Sequence, residues 1–498
     1  MKTNGTWRYI VMALMALIAL FIALYPFPGA AGLSPAGKYV LAVFVLAVGL
    51  WVAAPAQYLT PASLLVLVLV VLALSADKKT AAKAVGTGMS GYGDAGLWLM
   101  ILGFVYATAF SKSVLAKRVA LVLMNLARGS SFWILFMVGV INIAISATTP
   151  STIAKGGLLL PVIVGIVGTA GVEKGKSNFA KAIGIYAGAA DNIISAGILT
   201  ATIANPLAIS ILKKAAGIDV SWTQWFLYTF PMVLVSTLLA FFLVYFLFPP
   251  EIKEINGGAE YVAQELRSLG PVTSAEKVTL ISFLTALALW ILDKSVIGVQ
   301  AYRSLPAILQ TILGLHVFVK GLFAAMILFV PRYGVVTWKD AEKDVPWGTY
   351  VLFGAALGLS AALNQTKGMD WAVMHILNAL GLKSLPFFAI YALIVFLMYY
   401  GHVLFFTYTA MAAALLPIVI SLAKALSLPV LALYVPAMTL IPYSCIFPFN
   451  TVPLLMFNGA GLFETRDSAR FGLLFGLVVL AQWFLIGLPY WRALGIMP

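Results

Sequence analysis

The 498-residue chain has few charges and almost none of the residues that build redox and metal centres: 10% of it is Asp, Glu, Lys or Arg, with one cysteine and three histidines. A single cysteine, Cys445, excludes an intrachain disulfide and a multi-cysteine metal site. His316, His375 and His402 are too far apart in sequence to read as a metal box. No G-x-x-x-x-G-K-[ST] loop occurs, so nothing points to ATP drive by this chain. With no catalytic or metal constellation, the chain reads as a non-enzyme. It also lacks any polar stretch long enough to be a water-soluble domain; the longest polar insertion is Pro249 to Lys277.

What it has is apolar sequence, 62% of the chain. Runs suited to crossing roughly 30 Å of hydrocarbon recur throughout: Tyr9–Tyr25, Tyr39–Ala54, Leu64–Leu74, Leu97–Phe110, Phe132–Ile145, Trp225–Phe248, Val278–Leu292, Val351–Leu363, Phe387–Tyr400 and Phe471–Leu488. This is the pattern of an all-α polytopic membrane protein. Met1–Tyr25 begins basic (Lys2, Arg8) as a signal peptide would, but no small-residue cleavage site precedes the next run, so a retained first helix is expected. The net charge of +14 does not imply nucleic acid. Its lysines and arginines sit in short clusters beside apolar runs, such as Lys78–Lys79–Lys83 and Lys213–Lys214, where they anchor helices and bias topology.

The polar insertion near mid-chain divides two halves that resemble each other. Setting Pro161 over Pro417 aligns STIAKGGLLLPVIV (Ser151–Val164) with TYTAMAAALLPIVI (Thr407–Ile420) without a gap. A weaker echo pairs Leu97–Ser113 with Thr349–Gly368, and an Asn/Pro-interrupted segment follows in each half, Thr200–Ser210 and Phe447–Gly461. The organisation expected is an N-terminal helix and loop (1–37), a first repeat (38–248), a linker (249–277) and a second repeat (278–498). Hairpins are expected near 146–161 and 402–417, and broken helices near 200–210 and 446–461. Backbone that leaves the helix at membrane depth is tolerated only where it is buried in protein or lines a wet cavity. Paired interruptions in two repeats are therefore the best sequence pointer to a transporter's binding site. Half-helix N-termini attract anions, while freed carbonyls and hydroxyls hold cations.

At these residues the chain resembles the divalent anion:sodium symporter family, and most of all its exchanger branch, the bacterial citrate/succinate and plastid oxoglutarate/malate translocators. The resemblance runs from about Lys38 to the C-terminus. It rests on TPSTIAKGG (Thr149–Gly157), AGIDVSWTQWFL (Ala216–Leu227), PPEIKE (Pro249–Glu254), YYGHVLFFTYTA (Tyr399–Ala410) and the Asn450 segment. It implies two inverted repeats with re-entrant hairpins and broken helices, a homodimer joined by a scaffold part, and a transport part that moves substrate by an elevator motion.

Sodium-coupled members of the family carry Ser-Asn-Thr at both hairpin tips; here the matching positions read Ser151-Thr152-Ile153 and Thr407-Tyr408-Thr409, without either asparagine. Exchangers carry an arginine two residues beyond the first triplet and a histidine at the pseudo-symmetric place; here Lys155 stands at the first and, in the gapless register, Met411 at the second. A multivalent carboxylate entering a dry site needs compensating charge. Lys155 is thus expected to be the one fixed cation of the site, with a doubly charged anion ranked first and a co-bound cation or a larger share of compensation by helix dipoles as the alternatives.

The candidate substrate-binding residues are Ser151, Thr152, Lys155, Thr407, Thr409, Asn205 and Thr451. Candidate ligands for a sodium ion are Ser151, Asn205, Thr409 and Asn450. The function expected is secondary active transport of small dicarboxylate-like anions, by exchange, across a bacterial-type plasma membrane. Sodium-coupled symport, a cation/proton antiporter using Asp191, and an anion channel are the alternatives. Plainer readings stand beside these: Lys155 as a snorkelling lysine, the tip hydroxyls bonded to their own helices, Asp191 paired with Lys181, His402 as a packing histidine, and Trp222 and Trp225 as an interfacial belt.

Overall fold

The computed structural model describes residues 6–25, 33–149, 151–292, 297–379, 381–405 and 407–498; Lys2 and Pro150 lie outside them. Among the described residues the secondary structure is helical, apart from one isolated bridge between Ser130 and Glu254. Helices suit a lipid surround because each satisfies its own backbone donors and acceptors. Nine described helices are long and apolar enough to cross a membrane, or eleven if each of two bent pairs is one span. The first, Thr6–Leu24, keeps Leu17 64% and Leu24 70% exposed, as a lipid-facing surface requires.

The repeat seen in sequence recurs in the helix boundaries. Helices Ser131–Thr148 and Phe387–Tyr400 start 256 positions apart, and so do Thr152–Thr169 and Tyr408–Ala425. The latter two, called here the tip helices, each span 18 residues and hold the aligned prolines, Pro161 and Pro417. Their N-caps are Ser151, whose Oγ accepts from Ala154 N at 3.2 Å, and Thr407, whose Oγ1 accepts from Ala410 N at 3.1 Å.

The interrupted segments are broken helices. The first runs Asn178–Ser195 and resumes as Ala204–Ala216; the second runs Val430–Leu440 and resumes as Val452–Gly459 after a short turn at Pro448–Asn450. The first break lies earlier than the expected 200–210, because Asn205 and Pro206 belong to the first turn of the resumed helix. Proline is favoured there, since the first N–H groups of a helix have no intrahelical partner to lose.

Two more elements depart from expectation. The region 249–277 contains helix Gly258–Ser268, packed on Leu115–Asn125 and on the first tip helix and pinned by Lys117 to Glu265 at 2.9 Å. Residues 299–329, not among the expected spans, form short helices, with a 107° bend between Ala307–Gly314 and Val317–Phe329.

The halves interlock. Asn178–Ser195 packs on Val452–Gly459, the first tip helix packs on the same segment, and Ala204–Ala216 packs on the second tip helix. Helices Ala95–Ser113 and Trp347–Thr366, the weaker pair of the repeat, flank Ala204–Ala216 from outside this centre.

Candidate functional site

A cavity of about 500 Å³ lies where these elements meet. The first tip lines it with Ser151, Thr152, Ile153 and Ala154, and the second with Thr407, Tyr408 and Thr409. The broken helices add Thr202 and Ile203 from the first break, and Asn450, Thr451 and Val452 from the second. Four helix starts therefore face one space: Thr152, Tyr408, Ala204 and Val452 each begin a helix at or beside the lining. The leading N–H groups of a helix have no internal acceptor and its N-terminus carries a partial positive charge, so the convergence makes a field that favours anions. Among the described lining residues there is no lysine, arginine or histidine. The remaining wall comes from Phe104, Ala107, Thr108 and Ser111 of helix Ala95–Ser113, and from Thr349 of helix Trp347–Thr366 with Asp344 and Pro346 just before it.

Hydrogen bonds tie the tips to the breaks. Asn192, fully buried on Asn178–Ser195, accepts from Tyr408 Oη at 2.6 Å and donates through Nδ2 to Ser444 O at 2.6 Å and Thr451 Oγ1 at 3.1 Å. One amide thus joins the second tip, the second break and the first broken helix. Asn450 Nδ2 donates to the carbonyls of His402 and Phe405, at 2.9 and 3.1 Å, at the turn before the second tip. Asn205 Nδ2 does the same for Ser195 and Ile198, at 2.8 and 2.9 Å, at the first break. These amides meet carbonyls that the interrupted helices leave open. The Oδ1 atoms of Asn205 and Asn450 are buried without a hydrogen-bond donor among the described residues.

Lys155 is placed elsewhere than expected. Its side chain is fully buried, and Nζ lies 2.8 Å from Asp191 Oδ1, 2.9 Å from Ser146 Oγ and 2.6 Å from Ser195 Oγ, with Ala201 O at 3.5 Å. It does not line the cavity. Long helical side chains point back toward the helix N-terminus, which here carries the ammonium between the first hairpin and the first broken helix. A buried charge persists only when paired, and Asp191 pairs it. Asp191 therefore neutralises Lys155 rather than meeting Lys181, which reaches Asp467 at 3.3 Å.

Of the sequence candidates, Ser151, Thr152, Thr407, Thr409, Asn450 and Thr451 line the cavity together, whereas Lys155 and Asn205 lie behind it. Met411 is buried at 0% exposure in the second tip helix. His402 packs inside, its Nε2 3.1 Å from Leu440 O. Trp222 and Trp225 form no interfacial belt: both are buried, and Trp225 Nε1 donates to Ala196 O at 3.0 Å, meeting another carbonyl of the first break. Sequence reading missed Thr108, Ser111, Asp344 and Thr349. The weak echo of Leu97–Ser113 in Thr349–Gly368 was the signal for three of them, while Asp344 sits in a charged run, KDAEKDVP, that resembles an ordinary solvated turn.

Comparison with known proteins agrees with this architecture. A profile of the sodium:sulfate symporter transmembrane region matches residues 6–497. The L-tartrate/succinate antiporter of Escherichia coli K12 is 29% identical over 97% of this chain and 97% of its own length. A membrane protein of Cupriavidus necator H16 is 28% identical over 97% of this chain and 92% of its own. The YdaH transporter of Alcanivorax borkumensis superposes with a TM-score of 0.56 at 16% identity, covering 89% of this chain and all of that one, which is a likeness of fold.

Proposed function

Because the chain belongs to the sodium:sulfate symporter transmembrane-region family, the divalent anion:sodium symporters, we propose that it exchanges small dicarboxylates across a bacterial plasma membrane as a secondary active transporter. The observation that carries this reading is the convergence of four helix starts and a set of hydroxyls on one cavity without a side-chain cation. Such a site compensates a carboxylate at each end of a short anion with oriented amides and hydroxyls. Ser151, Thr152, Thr407, Thr409 and Thr451 touch the anion, while Lys155 and Asn205 hold the backbone that presents those groups. The names of relatives, L-tartrate/succinate antiporters among them, support a four-carbon dicarboxylate and exchange.

The tips and broken helices, joined through Asn192 and through Lys155, move as one body past helices Ala95–Ser113 and Trp347–Thr366 in an elevator stroke. A homodimer holds the outer helices still. Sodium-coupled symport is the second reading, favoured by the unpartnered amide oxygens of Asn205 and Asn450, since a monovalent cation needs such acceptors.

Counterflow of labelled succinate into proteoliposomes separates the two. Exchange predicts uptake that needs internal succinate or L-tartrate and is indifferent to sodium. Uptake that requires sodium and no internal anion contradicts exchange.

A further inference from the structure

Asp344 is the one carboxylate among the described residues lining the cavity, in a site otherwise suited to anions. It is the last residue of helix Trp338–Asp344, and its Oδ2 accepts from Thr108 Oγ1 at 2.8 Å. Among the described residues it takes part in no ion pair, and nearby Lys112 is held by Asp340 at 2.5 Å.

Local structure does not ask for a negative charge here. A helix C-terminus carries partial negative charge, so an aspartate in its last turn is of the unfavourable sign. Thr108 does not need it either, because its hydroxyl is also 3.0 Å from Phe104 O. A carboxylate in the wall of an anion cavity weakens binding of every anion, and the loss grows with the anion's charge. Attraction from the helix starts has a ceiling, because it comes from fixed partial charges.

We propose that Asp344 is a specificity-determining residue whose fixed charge restricts the cargo to dianions and turns away trianions such as tricarboxylates. The proposal rests on reading the cavity as a dicarboxylate site and names which carboxylates it admits. Specificity commonly needs such a repulsive element beside the attractive ones. Across about 8 Å of hydrated cavity, with an effective dielectric constant of about 40–60, Coulomb's law gives roughly threefold to sixfold in affinity per unit of cargo charge. Salt reduces the effect.

The test is competition for labelled succinate uptake in proteoliposomes by unlabelled succinate and by citrate, at a pH where citrate is fully ionised. Asp344→Asn keeps an acceptor for Thr108 and removes the charge; Asp344→Glu keeps the charge. With Asp344→Asn both competitors become more potent, and citrate gains a further factor of about three to six over succinate, a margin that shrinks as salt is raised. Asp344→Glu keeps the wild-type ratio. Thr349→Asp, which adds a second charge to the same wall, moves the ratio the other way and stands in if Asp344→Asn does not fold. An unchanged citrate-to-succinate ratio in Asp344→Asn, or in Thr349→Asp where that variant stands in, overturns the proposal while succinate uptake persists. A wild-type protein that takes up neither succinate nor L-tartrate defeats the dicarboxylate reading itself.

Discussion

Lys155 and Asp191 are 36 positions apart and form one neutral unit, with side chains 0% and 1% exposed and 2.8 Å between charged atoms. Removing one partner of such a pair leaves an unpaired charge in the interior, which costs about 3–5 kcal/mol, whereas replacing both with neutral groups costs much less. Lys155→Met and Asp191→Asn should each lower the thermal midpoint of the detergent-purified protein sharply, and the double variant should recover most of the loss. Single variants as stable as the wild type would mean the two charges do not depend on each other. The lysine's oddity was legible in sequence as a charge between apolar runs. Its partner was not: sequence offered Asp191 only the nearby Lys181, and the pairing with Lys155 depends on how the hairpin lies against the broken helix.

Each tip helix is started by a hydroxyl that both caps it and lines the cavity, Ser151 in the first repeat and Thr407 in the second. The two roles separate on substitution by aspartate, which caps a helix as well as serine and suits its dipole, yet puts a negative charge where the anion sits. Ser151→Asp and Thr407→Asp should hold the thermal midpoint within a few degrees and reduce succinate counterflow by more than about tenfold. Retained counterflow would remove the tips from the anion's contacts. The element order was readable because both tip helices keep their prolines and caps in one gapless register. The break at Ser195–Ala204 was misplaced by several residues, since Asn-Pro marks a helix start as well as a helix end. Asp344 stayed hidden because a carboxylate in a charged run has no pattern of its own.

As a whole, the chain is a multi-pass membrane transporter whose cavity is lined from both halves of the sequence, so neither half holds the site alone. Sequence carried the class, since hydropathy is a local property; the convergence of four helix starts depends on packing between segments some 250 positions apart. The central claim is that a dicarboxylate sits between the two tips. Cys445 is buried at 0% exposure, so a cysteine introduced at Ser151 or Thr407 is the reactive thiol of the protein. The decisive measurement is the rate of maleimide labelling at these cysteines with and without succinate or L-tartrate. Slower labelling at both positions in the presence of a dicarboxylate, and not of a monocarboxylate such as acetate, is the predicted result. Labelling unaffected by dicarboxylates in variants that still exchange them would contradict it.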